Sequence, residues 1–159
     1  MYRILVVDDE PGIGSSIRNF LLASDLNISH VETALNGFEA IDCLRMDSFD
    51  LVLTDIQMNR MSGLELMETI CMEQPNLPVI VISAHEKFDY AKQSLQLGAK
   101  DYLVKPVQRK VLLDTVGKAL SEKESLGKQT LERSFQQRDS GDADVRKHSE
   151  LFMELVFER

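Results

Sequence analysis

Short apolar runs rich in β-branched residues alternate along this chain with longer segments whose apolar residues recur every three or four positions, and few folds accommodate that rhythm. The runs are Ile4 to Val7, Ile28 to Thr33, Leu51 to Thr54, Val79 to Ile82 and Tyr102 to Val104. Most are too uniformly apolar to keep one face in water, which predicts strands covered on both sides. Between them, Ile17, Phe20 and Leu21, then Ala40, Ile41 and Leu44, then Leu64, Leu66, Met67 and Ile70, then Phe88, Ala91 and Leu95 mark amphipathic helices. Val111, Leu112, Val116 and Leu120 mark a fifth after the last run. Strands joined through helices at this spacing run parallel. The chain is therefore expected to form an α/β domain over residues 1–122, a five-stranded doubly wound parallel sheet of the (βα)5 type.

Local punctuation agrees. Pro11 can open the first helix, where its missing N–H is harmless, and Ser62 can cap the third ahead of Gly63 and Leu64. Pro75 and Pro78 bracket the loop into the fourth strand, and Gly98 falls where the fourth helix should stop. Residues 123–159 are more polar, with Gly127 inside a helical continuation and a breaker at Asp139-Ser140-Gly141-Asp142. A last stretch, Val145 to Phe157, puts Val145, Phe152, Leu155 and Val156 on one helical side. This region reads as a helical linker or the truncated start of an output region, its stripe covered by a second copy in a homodimer or by a downstream domain.

Charge narrows the partners. With 18 basic and 26 acidic residues the net charge is −8, and the pI is near 4.9. Such a surface is not built to neutralise nucleic-acid phosphates or anionic lipid, so DNA contact would need an output domain outside this chain. Cys43 and Cys71 lie in helical segments away from any ligand-spaced partner and read as inert core thiols, while Met58, Met61, Met67 and Met72 read as packing residues. No run has the length of a membrane span and the amino-terminal apolar run is too short for a signal peptide, so a cytoplasmic protein is expected.

In open parallel sheets, ligands bind at the carboxyl ends of the strands where the strand order reverses. The first strand ends in Asp8-Asp9-Glu10, the third in Asp55, the fourth in Ser83 and the fifth in Lys105-Pro106. Carboxylates packed together need a counter-ion, and hard oxygen ligands with no nearby His or Cys favour Mg²⁺. With the ion and Lys105 drawing charge off a phosphoryl group, one carboxylate can act as nucleophile. Asp55 is the best candidate because it lies centrally, between the acidic pair and the Ser83 and Lys105 side.

The blocks Leu5-Val6-Val7-Asp8-Asp9-Glu10, Asp50 to Met58, Val81-Ile82-Ser83-Ala84 and Asp101 to Pro106 resemble, in order and in spacing, the receiver domain of two-component response regulators. The resemblance covers residues 1 to about 122 and implies a flavodoxin-like fold. It implies that Asp55 accepts a phosphoryl group from a sensor histidine kinase. It also implies that Asp9, Asp55 and the Gln57 carbonyl bind Mg²⁺ directly, with Asp8 acting mainly through water. Ser83 would hydrogen-bond the phosphoryl group, Lys105 would pair with it, Tyr102 would be the aromatic switch, and the Lys105-Pro106 bond would be cis. Asn59 departs from the family, which commonly has proline there. The stretch Ser83 to Lys92 with Leu97 to Tyr102 is similar to receivers that precede an AraC-type helix-turn-helix output domain. These residues imply a phosphoacceptor that catalyses its own phosphotransfer and slow dephosphorylation, regulating transcription, rather than a turnover enzyme.

Blander readings compete. Asp8-Asp9-Glu10 taken alone is a solvated helix-capping turn, and Tyr102 taken alone is a core aromatic. His85, two residues past Ser83, is near enough to influence acyl-phosphate hydrolysis, though a lone loop histidine is more often simply solvated. An aspartate-nucleophile, metal-dependent phosphatase would use the same atoms, but its familiar form spaces two aspartates one residue apart, and here they are adjacent. A nucleotide-binding module would need more than Gly12-Ile13-Gly14, since neither a full Gly-rich fingerprint nor a P-loop lysine is present.

Overall fold

In the computed structural model, residues 1–84 and 88–137 are described. The strands are β1 (Tyr2–Val7), β2 (Ile28–Ala34), β3 (Leu51–Thr54), β4 (Val79–Ser83) and β5 (Asp101–Val104). The helices are α1 (Pro11–Leu22), α2 (Gly37–Met46), α3 (Gly63–Glu73), α4 (Phe88–Gln96) and α5 (Arg109–Gln137). All strand pairs are parallel, in the order β2-β1-β3-β4-β5. The expected doubly wound sheet is present.

The period-2 alternation of the central strands sorts the core into two layers. Leu5, Val7, Val52, Val79 and Val81 face α2 and α3, where Ala40, Ile41, Leu44, Leu66, Met67 and Ile70 meet them. Ile4, Val6, Leu51, Leu53, Ile80 and Ile82 face α1 and α5, against Ile17, Leu21, Leu112, Val116 and Leu120. Each such fully buried aliphatic side chain contributes about 1.5–3 kcal/mol relative to leaving it in water. The edge strands β2 and β5 are only partly covered, and they carry Glu32 and Asp101.

The punctuation holds in detail. Pro11 begins α1, the Ser62 hydroxyl accepts a hydrogen bond from the Glu65 N–H, and Gly98 follows α4 at φ +96°. Three sequence readings are corrected. On α4, Leu95 is 45% exposed and Ser94 is wholly buried instead; the hydroxyl of Ser94 is satisfied by the Tyr90 carbonyl, so the small side chain can enter the helix-sheet contact. On α3, Cys71 and Met72 are exposed, because Leu66, Met67 and Ile70 already define the inward stripe. Val111 is also exposed at the start of α5.

Helix α5 runs continuously through residue 122. Just past it, Lys123 binds the Asp50 carboxylate at 3.1 Å and Glu124 accepts a hydrogen bond from the Tyr2 hydroxyl. The Val145 to Phe157 stripe and His85 lie outside the described residues.

Candidate functional site

The chain passes from β1 out to β2 and then crosses back to β3, so the order reverses between β1 and β3. Asp8 and Asp9 leave the end of β1, and Asp55 leaves the end of β3 beside it, its N–H donating to the Val7 carbonyl at 3.0 Å. The sheet therefore places three acidic residues at its switch point. One oxygen from each of Asp8, Asp9 and Asp55 lies within 4.8 Å of the others.

Lys105 reaches this cluster from β5. Its backbone N–H donates to the Ser83 carbonyl at 2.9 Å, the Lys105-Pro106 bond is cis, and its ammonium bridges Asp8 Oδ2 at 2.6 Å and Asp55 Oδ2 at 2.9 Å. Burial alone would lower the lysine's pKa, but the hydrogen bonds and charges of the two aspartates outweigh it and hold the ammonium charged above its ordinary range. Asp8 is further fixed by the Glu10 N–H on its Oδ1 at 2.9 Å. The Asp55 backbone is pinned by the Thr54 hydroxyl on its carbonyl. Its Oδ1, by contrast, is buried with no hydrogen-bond partner.

That orphaned oxygen is informative, because a buried carboxylate oxygen without a donor is costly unless another charge serves it. Formal charges give the same answer: three carboxylates against one ammonium leave −3 + 1 = −2, the charge that one divalent cation balances. The donors are all hard oxygens, the chemistry that suits Mg²⁺. The residues fit the ion.

Ser83 is fully buried at the end of β4, next to the strand that delivers Lys105. Tyr102 is half-buried and packs against the layer that contains Val81 and Ala99, neither sealed in the core nor free of it. Gln57 is exposed two residues beyond Asp55. Of the site residues expected from the sequence, Asp8, Asp9, Asp55 and Lys105 are brought together, Ser83 ends β4, and Tyr102 lies within β5.

Two features of the acceptor loop carry no signal in the sequence. Gly63 comes so close to Asp55 and Ile56 that a Cβ on it would lie 2.0 Å from the Asp55 carbonyl oxygen. Arg60 has φ +73°, inside a tight turn closed by the Met61 N–H on the Asn59 carbonyl at 3.1 Å. Asn59, in the place of the family's proline, supplies the acceptor of that turn. A left-handed conformation costs a residue with a Cβ about 1–2 kcal/mol, partly offset by the extra unfolded-state freedom of glycine. Arg60→Gly is therefore expected to raise stability by about 0.5 kcal/mol, read as a higher urea midpoint at unchanged slope.

Comparison with known proteins agrees with the geometry. Residues 4–117 match the family model of the response regulator receiver domain. The chemotaxis protein CheY of Treponema pallidum is 36% identical over 121 residues, covering 75% of this chain and 83% of the relative. The uncharacterized transcriptional regulatory protein YesN of Bacillus subtilis is 32% identical over 122 residues, 77% of this chain, and the matched part spans only 33% of that relative's length. Among solved structures, the response regulator TrrA of Thermotoga maritima in complex with Mg²⁺-BeF superposes with a TM-score of 0.67 at 33% identity, covering 75% of this chain and 99% of that one. Among the described residues no helix is long and apolar enough to cross a membrane. With its family match, its fold and its acidic switch point in agreement, the chain belongs to the response regulator receiver domains, the phosphorylation-dependent switches of two-component signalling.

Proposed function

We propose that Asp55 is the phosphoacceptor of this receiver, charged by a sensor histidine kinase in the presence of Mg²⁺. Receiver domains are phosphoacceptors rather than turnover enzymes and take Mg²⁺ at an acidic pocket. The observation that carries the assignment to this residue is the asymmetry of its carboxylate, with Oδ2 held by Lys105 and Oδ1 buried and unpartnered. The Asp55 carboxylate attacks phosphorus, and the bond to the donor breaks with its electron pair on the leaving group, the imidazole nitrogen of a kinase or the acetate of acetyl phosphate. Lys105 meets the charge of the phosphoryl oxygens, and Ser83 donates a hydrogen bond to them. Asp8, Asp9, Asp55 and the Gln57 carbonyl would hold the Mg²⁺, which would supply charge neutralisation at the phosphoryl group when bound.

The phosphoryl group gives Ser83 and Lys105 a contact they lack otherwise, and that difference shifts the population toward a state in which Tyr102 turns inward. The output face is that of α4, β5 and α5, where Leu95, Val104 and Val111 are each more than a third exposed. Residues 1–122 form the receiver and 123–159 a linker to an output region, in keeping with relatives that are longer transcriptional regulators. A cytoplasmic regulator of transcription follows, its DNA contact and any AraC-type domain lying in that output region, with the residue 145–157 stripe meeting a second copy or that output region.

Incubation with Mg²⁺ and acetyl phosphate should add one phosphoryl mass, and excess EDTA should abolish the addition, since the anionic donor would then face uncompensated carboxylates. Equal labelling with and without EDTA would defeat the assignment. Turnover of many equivalents of unrelated phosphate esters would favour the phosphatase alternative.

A further inference from the structure

The side chain of Gln57, two residues past Asp55, is tied to α4. Its Nε2 donates to the Tyr90 hydroxyl at 3.2 Å, linking the loop after β3 to α4 across 33 residues of sequence. The two ends of this link are unlike. Gln57 is exposed, on a loop that carries the acceptor two residues earlier. Tyr90 is half-buried, packs against the same core layer as Met58 and Tyr102, and has its carbonyl held by the buried Ser94 hydroxyl at 2.7 Å. An anchored group therefore holds a loose one.

From this geometry we infer that Tyr90 is a positioning residue for the acceptor loop, holding the Gln57 carboxamide over the approach to Asp55 and so slowing hydrolysis of the acyl phosphate. The inference rests on Asp55 as phosphoacceptor. In the step concerned, water adds to phosphorus, and the bond to Asp55 breaks with its electron pair returning to the carboxylate. Inorganic phosphate leaves, and the proton released goes to solvent. A carboxamide tethered between the loop and α4 obstructs the water's approach, and one released from Tyr90 samples other rotamers and clears it. The loop that presents the Gln57 carbonyl to Mg²⁺ loses the same restraint.

The test is a double-mutant cycle on the full chain, using Tyr90→Phe, Gln57→Met and the pair. Each protein is labelled with acetyl phosphate and Mg²⁺, freed of donor, and followed by the decay of the phosphorylated mass. Tyr90→Phe keeps the ring and its packing, so its melting temperature should be unchanged. Its phosphoryl half-life should shorten about three- to tenfold, the range that loss of one hydrogen bond spans. In the Gln57→Met background the same change should have no effect, because the group that Tyr90 holds is already gone. An unchanged half-life in Tyr90→Phe, or an equal shortening in both backgrounds, would overturn the inference while leaving Asp55 as acceptor. Failure of the parent chain to label at all would overturn the acceptor assignment itself.

Discussion

Asp55→Asn is expected to abolish phosphoryl incorporation from acetyl phosphate, by roughly a thousandfold or more, the scale on which loss of a nucleophile acts. The amide is nearly isosteric, so β3 should keep its register, and Lys105 keeps its bond to Asp8. What disappears is the carboxylate charge that makes Asp55 the proposed nucleophile. The neighbouring acids do not replace it. Asp8 has Oδ1 engaged by the Glu10 N–H and Oδ2 by Lys105, and Asp9, though within the same cluster, lacks the lysine contact. Intact mass and peptide mapping after incubation with Mg²⁺ and acetyl phosphate read the outcome directly. Undiminished label in Asp55→Asn would move the acceptor elsewhere.

The same cluster shows why so much of the site is legible in the amino-acid sequence. Strands advertise themselves by composition, and the residue that ends a parallel strand is fixed by where its apolar run stops. Asp8, Asp55, Ser83 and Lys105 can thus be assigned to one sheet edge without knowing the strand order. Helix rotation is harder to read, since a period of 3.6 gives the width of an apolar stripe but not its exact phase. Leu95 and Ser94 are adjacent, and hydropathy favours the leucine, yet it is the serine that is buried. Cys71 and Met72 fail for the same reason, one residue beyond the stripe that Ile70 closes.

Contacts within the acceptor loop are illegible for another reason. The Gln57 to Tyr90 hydrogen bond and the turn at Arg60 depend on how a nine-residue path from Asp55 to Gly63 folds back on itself, and residue types along it do not encode that closure. Gly63 reads in the sequence as one residue after a cap. Only the approach of α3 to the end of β3 shows why a side chain is excluded there.

Gly63→Ala is accordingly expected to be the most damaging glycine-to-alanine change among the described residues. Its Cβ would lie 2.0 Å from the Asp55 carbonyl oxygen, 2.8 Å from Ile56 Cα and 2.9 Å from the Asp55 carbonyl carbon, all backbone atoms of a segment that cannot yield. Asp55 is bonded to β1, and Ile56 is buried. The helix must withdraw instead, which breaks the 2.7 Å bond from the Gly63 N–H to the Ile56 carbonyl and loosens Leu66, Met67 and Ile70 from the sheet. Overpacking against side chains costs about 1–3 kcal/mol, and a backbone clash sits at or above the top of that range, about 3–5 kcal/mol. Against a total stability of about 5–15 kcal/mol this should lower the melting temperature by more than about 10 °C. Labelling by acetyl phosphate should also fall in the fraction that remains folded, because the displaced helix carries the acceptor loop with it. Gly12→Ala is the matched control, since a Cβ there meets nothing within 4 Å and the change should leave stability unchanged or raise it by up to about 1 kcal/mol. If Gly63→Ala melted with the Gly12 variant, the close seating of α3 on the acceptor strand would not be what holds Asp55 in place.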